Sequence, residues 1–460
     1  MDHLKIVESI NKKRSFFNTY KTIDLSFRIE QLNRLLQSVI KNETIIIDAL
    51  KDDLNKPFFE AYASEVGYFM NEIKFMIKHI KSLMKPRRVK TPPLYFGSKS
   101  YIVPEPVGVV LIIAPWNYPF QLVLSPLIGA IAAGNCVVIK PSEMSPKCSK
   151  AIKKIMDEAF DEEYISVIEG GIEESNVLIK QKFDHIFFTG SSSVGRIVAQ
   201  EAAKNLVSVT LELGGKNPCI VDGNINVNYA ARRIVWGKFF NAGQTCVAPD
   251  YLLVNKSIKS EFIEAMKKTI VDFYGENPLE SRHYTRIISQ KHFDRLVLLL
   301  KDGRIITGGK CNAEKMIIAP TIVDNVSIDR NIMKDEIFGP ILPVFEYSDF
   351  TEAINMIKAM PKPLALYIFS RDRYKQRMVL DSIPFGGGCI NDTLIHFTSK
   401  YLPFGGVGES GIGKYHGKAS FEIFSNMKSV LHNNFLYDAK VKYPPYDLPE
   451  KFVKLMTKWL

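Results

Sequence analysis

Between residues 25 and 54 apolar side chains recur at three- and four-residue spacing with polar ones between, the period of helices that bury one face, and the whole of 1–82 reads as helical. The segment 84–100 is rich in proline and basic residues and reads as a crossing stretch rather than core. From 101 to about 210 the pattern changes: short apolar runs at 107–114, 136–139, 164–168 and 185–189 alternate with helical stretches. Such alternation predicts an α/β unit built on a parallel sheet. A second series of the same kind opens at Val209-Thr-Leu-Glu212 and continues to about 384, with runs at 251–254, 341–345 and 364–369. After Gly386-Gly-Gly388 the chain reads extended again and ends in a polar tail containing Pro444-Pro445. No repeat of solenoid type is present.

One stretch imitates a membrane span. No charged residue occurs between 107 and 139, a length sufficient to cross a bilayer. Pro115, Asn117, Pro119 and Pro126 interrupt it, and 107–114 is short and β-branched. Strand, loop, then buried helix is the reading that fits.

Composition narrows the class. At 460 residues the chain is too long for one hydrophobic core. Its 46% hydrophobic and 24% charged residues are those of an ordinary soluble protein. The cysteines at 136, 148, 219, 246, 311 and 389 form no Cys-x-x-Cys and no tight Cys/His cluster, which argues against a disulfide framework and against a metal site. Residues 1–10 lack the apolar core of a signal peptide, so a reducing cytoplasm is the expected compartment. The net charge of +11 is spread along the chain without any nucleic-acid motif. It reads as a solvated surface whose field can draw an anionic cofactor or membrane surface.

The chemistry concentrates in two short segments, Leu211-Glu-Leu-Gly-Gly-Lys216 and Asn241-Ala-Gly-Gln-Thr-Cys246. They place a carboxylate, Glu212, beside a glycine pair, and a thiol, Cys246, at the end of a polar turn, 246 − 212 = 34 residues later. A nucleophilic thiol needs a turn that exposes it and backbone N–H groups that favour thiolate. The covalent intermediate it forms needs a base to activate water. Together the segments resemble the catalytic pair of the NAD(P)-dependent aldehyde dehydrogenases. The resemblance runs from about Arg14 to Tyr446, through Pro115-Trp-Asn-Tyr-Pro119, Lys140-Pro-Ser-Glu143, Phe188-Thr-Gly-Ser191, Glu336-Ile-Phe-Gly-Pro340 and Pro403-Phe-Gly-Gly-Val-Gly408. Cys246-Val-Ala-Pro-Asp-Tyr251 and Gly413-Lys-Tyr-His-Gly417 are similar to the short, class 3-like branch that includes fatty and aromatic aldehyde dehydrogenases.

That resemblance implies an α/β fold of two Rossmann-related parallel domains plus a small bridging β-sheet. It places an NAD-binding domain at 1–82 and 103–209, a catalytic domain at 210–387, the bridging sheet at 83–102 and 388–435, and a tail at 436–460. It also implies a homodimer. Cys246 would attack an aldehyde to form a thiohemiacetal and then a thioester. The side-chain amide of Asn117 and the backbone N–H of Cys246 would hold the oxyanion. Glu212 would activate water for thioester cleavage, or take the thiol proton; both roles stay open. In the cofactor set, Gly190 permits a turn, Ser191 donates to the pyrophosphate and Gly195 lets a helix pack on the sheet, with Val194 beside them. Lys140 and Glu143 resemble the pair that holds the adenine ribose, with Ser142 in the same cofactor set, and Glu336, with Phe338 beside it, resembles the carboxylate on the nicotinamide ribose. Gly214 and Gly215 would let the backbone pass close to the nicotinamide, and Leu213 and Trp116 complete the set. Glu143 favours NAD by repelling a 2′-phosphate, while Lys140 softens that repulsion, so NADP is a possible second cofactor.

On the substrate side the resemblance puts Tyr118 beside the nucleophile, and Phe239, Tyr62 and Tyr68 can help line an apolar tunnel. The loop 390–401 carries His396, Phe397 and Thr398 rather than a cluster of Arg or Lys. His396 reads as a loop-packing residue rather than a base. Without a basic clamp, apolar aldehydes (aliphatic, aromatic or terpenoid) fit better than acidic semialdehydes. The alternatives are a semialdehyde-specific or CoA-acylating relative, and a binding protein that kept the fold without the chemistry. In the tail, Phe452, Met456 and Trp459 share one face and Lys451, Lys454 and Lys458 another. That pattern suits an amphipathic helix lying on a membrane surface or packing on the dimer.

Overall fold

The computed structural model describes residues 3–435, 438 and 440–459. Helices His3–Phe17, Leu25–Lys41, Glu43–Leu54 and Gly67–Leu83 occupy the N-terminal region, as its three- and four-residue spacing predicts. In chain order the strands are β1 (Arg87–Val89), β2 (Lys99–Pro106), β3 (Val109–Ile113), β4 (Cys136–Lys140), β5 (Ile165–Val167), β6 (His185–Thr189), β7 (Ser208–Glu212), β8 (Pro218–Val221) and β9 (Tyr251–Asn255). There follow β10 (Arg304–Thr307), β11 (Cys311–Asn312), β12 (Ile317–Ile318), β13 (Thr321–Asp324), β14 (Ile341–Tyr347), β15 (Ala365–Phe369), β16 (Gly387–Ile390), β17 (Gly411–Ile412) and β18 (Ser425–His432).

They build a six-stranded sheet in the order β17-β7-β6-β3-β4-β5 and a seven-stranded sheet in the order β10-β13-β14-β9-β8-β15-β16. Each is parallel apart from one antiparallel edge strand, β17 in the first and β10 in the second. A three-stranded antiparallel sheet, β1-β2-β18, stands apart from both. Every residue of β4, β6 and β15 is buried, because helices cover both faces of a parallel sheet and leave no polar side.

The stretch 107–139 resolves into β3, a loop and the helix Gln121–Ala133, and among the described residues no helix is long and apolar enough to cross a membrane. Pro126 does not interrupt that helix as expected but lies inside it. A mid-helix proline costs about 3 kcal/mol, and burial of all 13 residues of the helix offsets that cost. A second correction concerns Val209-Thr-Leu-Glu212, expected to open the second series. It belongs to β7, which pairs with β6 and completes the first sheet. Within 388–435 only β18 joins the small sheet; β16 lies at the edge of the seven-stranded sheet, and β17 pairs with β7. Local apolar alternation marks a strand but does not say which partner it will find.

The topology places the chemistry. In the first sheet β4 lies on one side of β3 and β6 on the other, so a crevice opens at their carboxyl ends. From this edge leave the loop carrying Asn117 after β3 and Gly190 after β6, while Lys140 and Glu212 are the last residues of β4 and β7. In the second sheet the relevant loops are those entering strands: 214–217 before β8, 246–250 before β9, and 336–340 before β14. The carboxyl edge of one sheet therefore meets the amino edge of the other.

Candidate active site

Cys246 follows the helix Val227–Phe239 through a turn with unusual backbone geometry. Asn241 and Ala242 are left-handed (φ 54° and 51°), and Gly243 has φ 73°. A Cβ on Gly243 would lie 2.3 Å from the carbonyl oxygen of Gly339, so only glycine fits. Buried amides hold the turn. Asn241 Nδ2 donates to the carbonyls of Asn117 and Gln244, each at 3.0 Å. Gln244 Nε2 donates to Arg286 O (2.9 Å), and Gln244 Oε1 accepts from Ile288 N–H (3.0 Å). Asn217 Nδ2 donates to Cys246 O (2.7 Å) and Ala248 O (3.0 Å), while its Oδ1 accepts from Ala365 N–H (2.8 Å). One side chain thus ties together the approaches to β8, β9 and β15.

Asn117 is buried, with Nδ2 donating to Gln244 O at 3.1 Å. Its neighbour Tyr118 shares a 2.6 Å hydrogen bond with Thr245 Oγ1. Cys246 itself is partly exposed. Burial pushes its thiol up, and the nearby Glu336 and Glu212 carboxylates add to the shift; the N–H groups of Cys246 and Val247 oppose it without prevailing. Glu212 is buried at the end of β7, and neither carboxylate oxygen has a hydrogen-bond partner. Desolvation holds its carboxyl well above the usual range, against the weaker pull of Lys414. The sequence pair of thiol and carboxylate is therefore also a spatial pair, in a setting that favours the uncharged form of both.

Glu336 packs onto Gly214, where a Cβ would lie 1.8 Å from Glu336 Oε2. Burial and the Asp250 carboxylate raise its pKa, opposed by Lys216 and the Gly215 N–H. Phe338 is left-handed (φ 49°) and meets the Trp116 ring edge-on at 5.4 Å. Lys140 is almost fully buried, donates to Pro141 O (2.8 Å) and lies 3.6 Å from the half-exposed Glu143 carboxylate. Ser142 Oγ accepts from Met144 N–H (3.2 Å). Ser191 caps the helix Ser192–Lys204, accepting from Val194 N–H at 3.4 Å. Gly195 lies against Leu213, whose Cδ2 would be 2.6 Å from an added Cβ.

The residues expected on the substrate side are more dispersed. Tyr118 lies at the Cys246 turn, but Phe239 is wholly buried. His396 packs beside Cys389 (3.6 Å) and the rings of Tyr367 and Phe404. Burial pushes His396 down to about 4, so it is neutral at physiological pH. Thr398 is turned to its own loop, with Oγ1 donating to Ile395 O (2.8 Å). Tyr68 OH lies 3.3 Å from the His416 ring nitrogens.

The sequence profile of the Aldehyde dehydrogenase family matches residues 2–430. The chain belongs to the aldehyde dehydrogenase family. It is 50% identical over 455 residues to the 4,4'-diaponeurosporen-aldehyde dehydrogenase of Staphylococcus aureus (strain NCTC 8325 / PS 47), covering 98% of this chain and 99% of that one. To the dimeric NADP-preferring aldehyde dehydrogenase of Canis lupus familiaris it is 45% identical, covering 96% and 98%. The solved substrate-bound state of Staphylococcus aureus AldH superimposes with a TM-score of 0.96 at 49% identity, covering 98% and 99%.

Aldehyde dehydrogenases use NAD or NADP, and the residues of this dehydrogenase fit such a dinucleotide. A capped helix of 13 residues offers its N-terminus beside Gly190. Exposed Val194 (44%) and Ile197 (48%) on that helix give apolar surface next to it. The Lys140 ammonium is buried beside Glu143, and Gly214 leaves the space against which Glu336 rests. Sequence reasoning about the dehydrogenase missed the scaffold beneath these groups. Asn217, Gln244, the buried Lys216–Asp250 ion pair, and Lys56, Glu60 and Glu65 are all far from Cys246 in sequence or read as ordinary polar positions. Lys238 was missed too: it is fully buried, its Nζ has no hydrogen-bond partner, and burial lowers it to about 8. Gln244, Lys216 and Asp250 did carry a signal, because they lie inside the Asn241–Cys246, Leu211–Lys216 and Cys246–Tyr251 segments.

Proposed function

We propose that this aldehyde dehydrogenase oxidises apolar aldehydes to carboxylic acids with NAD, and with NADP as a second cofactor, using Cys246 as nucleophile, Asn117 as oxyanion donor and Glu212 as base. The observation that carries the assignment is a thiol on a rigid turn beside a buried carboxyl whose two oxygens have no partner. The Cys246 thiol gives its proton to solvent as its sulfur bonds to the aldehyde carbon and the C=O π pair moves to oxygen, giving a thiohemiacetal oxyanion. One Asn117 amide proton is engaged by Gln244 O; the second, with the backbone N–H of Cys246, is free to hold that oxyanion. Asn117 is uncharged, so it stabilises the oxyanion without trapping the acid product. A dinucleotide held by Gly190, Ser191, Lys140 and Glu336 would supply the acceptor for the hydride that leaves the carbon held on Cys246. Glu212, its proton affinity raised by desolvation, takes a proton from water as the water oxygen bonds to the thioester carbon. The C–S bond breaks, the carboxylic acid leaves, and the proton held by Glu212 passes to the sulfur, restoring thiol and base.

Glu143 beside Lys140 supports NAD, and the NADP-preferring relative supports the second cofactor. Apolar substrates are supported by Tyr118 at the nucleophile turn, by the uncharged His396, Phe397 and Thr398, and by the relative named for 4,4'-diaponeurosporen-aldehyde. Retention of Glu212 favours water over CoA as the thioester acceptor, since transfer to CoA does not require that base. NADH formation across aliphatic aldehydes of four, eight and twelve carbons, benzaldehyde and succinic semialdehyde tests the reading. Preference for succinic semialdehyde overturns it.

A homodimer is part of the proposal. The outer strand of the small sheet, β18, carries exposed Val430 and Leu431, and a related enzyme is named dimeric. A cavity of about 740 Å³, lined by residues including Phe75, Ile102, Tyr401 and Met427, opens beside that sheet. We further propose a cytoplasmic enzyme with peripheral membrane contact through its tail. Support comes from free cysteines throughout and from the helix Glu450–Met456, where Phe452, Val453 and Leu455 are exposed beside Lys451 and Lys454. The side chain of Trp459, part of the expected apolar face, and all of Leu460 lie outside the described residues.

A further inference from the structure

We infer that a π turn at Tyr62–Val66 sets the separation between Asn117 and Cys246, with Lys56, Glu60 and Glu65 as positioning residues; this rests on the roles proposed above for Asn117 and Cys246. The helix that starts at Phe58 passes through this π turn before continuing as Gly67–Leu83. In an uninterrupted α-helix, residues five apart point about 140° away from each other. A π turn closes i to i+5, bringing such residues closer to one side, and is frequent at functional sites. Glu60 lies in the α-helical turn Phe58–Ala61 that leads into it and Glu65 lies within it, and both are buried.

Each carboxylate serves a different half of the site. Glu65 Oε2 accepts from the N–H groups of Phe120 and Gln121, each at 3.0 Å. These are the first donors of the helix Gln121–Ala133, which has no side-chain cap of its own. Glu65 therefore caps, from another helix, the element into which the Asn117 loop runs, and its charge suits that end of the helix dipole. Its other oxygen pairs with Lys56 Nζ, an ion pair buried completely on both sides. Lys56 Nζ also donates to Asn117 O (3.0 Å) and lies 4.1 Å from the centre of the Tyr118 ring. Glu60 Oε2 accepts instead from Asn241 N–H (3.0 Å), in the left-handed part of the nucleophile turn, and from Thr285 Oγ1 (3.3 Å). Asn241 Nδ2 closes the circuit on Asn117 O (3.0 Å).

A buried ion pair is weak grounds for stability, because apolar residues of similar volume often do as well. This one does more than pair. It fixes the loop that presents the Asn117 amide, while the carboxylate one π turn earlier fixes the turn that presents Cys246. A shift of about 1 Å between such groups costs on the order of 10²-fold in rate.

The test uses the charge-neutral double variant Lys56→Met/Glu65→Gln, which leaves neither charge unpaired, in wild-type and Asn117→Ala backgrounds. Single-turnover NADH formation is measured in the full-length enzyme. In the wild-type background the rate is expected to fall at least tenfold, with KM for NAD within twofold of wild type. In the Asn117→Ala background the same change is expected to cost less than threefold, because the group being positioned is gone. Equal losses in both backgrounds overturn the inference and leave a purely structural pair. If Asn117→Ala alone has the wild-type rate, the oxyanion assignment fails and the inference fails with it. Should the double variant not fold, Glu65→Gln alone keeps an oxygen acceptor for Phe120 and Gln121. It is expected to slow hydride formation and to show the same dependence on Asn117; a wild-type rate overturns the inference.

Discussion

Replacing Glu212 by Gln separates the chemistry of this site from its architecture. Neither Glu212 oxygen has a partner in the resting enzyme, so the substitution breaks no hydrogen bond. It also leaves the volume against Gly405, where an added Cβ would lie 2.9 Å from Oε1, nearly unchanged. Burial already favours the uncharged carboxyl, and an uncharged amide in its place should alter stability by no more than about 1 kcal/mol. The catalytic cost is much larger. A positioned base contributes about 10²–10⁴-fold, or roughly 2.7–5.4 kcal/mol of barrier at 1.36 kcal/mol per tenfold. The loss should fall on thioester hydrolysis alone, since an amide cannot take a proton from water. Rapid mixing with saturating NAD should give an NADH burst approaching one equivalent per active site at near wild-type rate, then a steady state at least about 10²-fold slower. Intact-protein mass after acid quench should show the acyl group on Cys246, and the melting temperature should move by about 2 °C or less. A variant with no burst, no acyl adduct and equally slowed hydride formation would refute this reasoning and assign Glu212 to the thiol proton.

Cys246→Ala should abolish aldehyde oxidation and leave NAD binding by calorimetry within about threefold, about 0.7 kcal/mol; turnover, or substrate labelling of another cysteine, counts against it. Because burial and the flanking carboxylates push the Cys246 thiol up, its thiolate fraction rises with pH throughout the neutral range. Iodoacetamide should therefore alkylate the cofactor-free enzyme about tenfold faster per pH unit from pH 7 to 9, and a plateau near pH 7 would show a low-pKa thiol instead. Gly243→Ala forces a left-handed alanine, costing about 1–2 kcal/mol, and drives Cβ against the Gly339 carbonyl. A lowered melting temperature with slowed Cys246 alkylation is expected, and a wild-type result on both measures refutes the steric argument. Each methylene buried is worth about 0.8 kcal/mol, so kcat/KM should rise roughly tenfold for two more carbons until the chain reaches solvent. Deleting 449–460 should weaken twelve-carbon substrates more than four-carbon ones, and equal losses would remove the tail from the substrate path.

The sequence by itself determined which side chains could do chemistry. Cys246 in Gly-Gln-Thr-Cys, Glu212 before its glycine pair and Asn117 between prolines are local statements, readable because each chemistry restricts its own immediate neighbours. The two parallel α/β units were legible for a similar reason: fully buried strands such as β4, β6 and β15 leave unbroken apolar runs. Tertiary structure alone decided what those pieces meet. That Glu212 ends the first sheet rather than opening the second depends on pairing with β6, which no local period encodes. Pro126 stays in its helix because the surrounding core buries every residue of it. Glu60 and Glu65, five residues apart, lie on different faces under an α-helical period, and the π turn Tyr62–Val66 that breaks this period is not written in the local pattern. Their partners at Asn241 and at Phe120 and Gln121 are distant in the chain. Local pattern reports the face a residue prefers, whereas the group opposite that face is supplied by the rest of the fold.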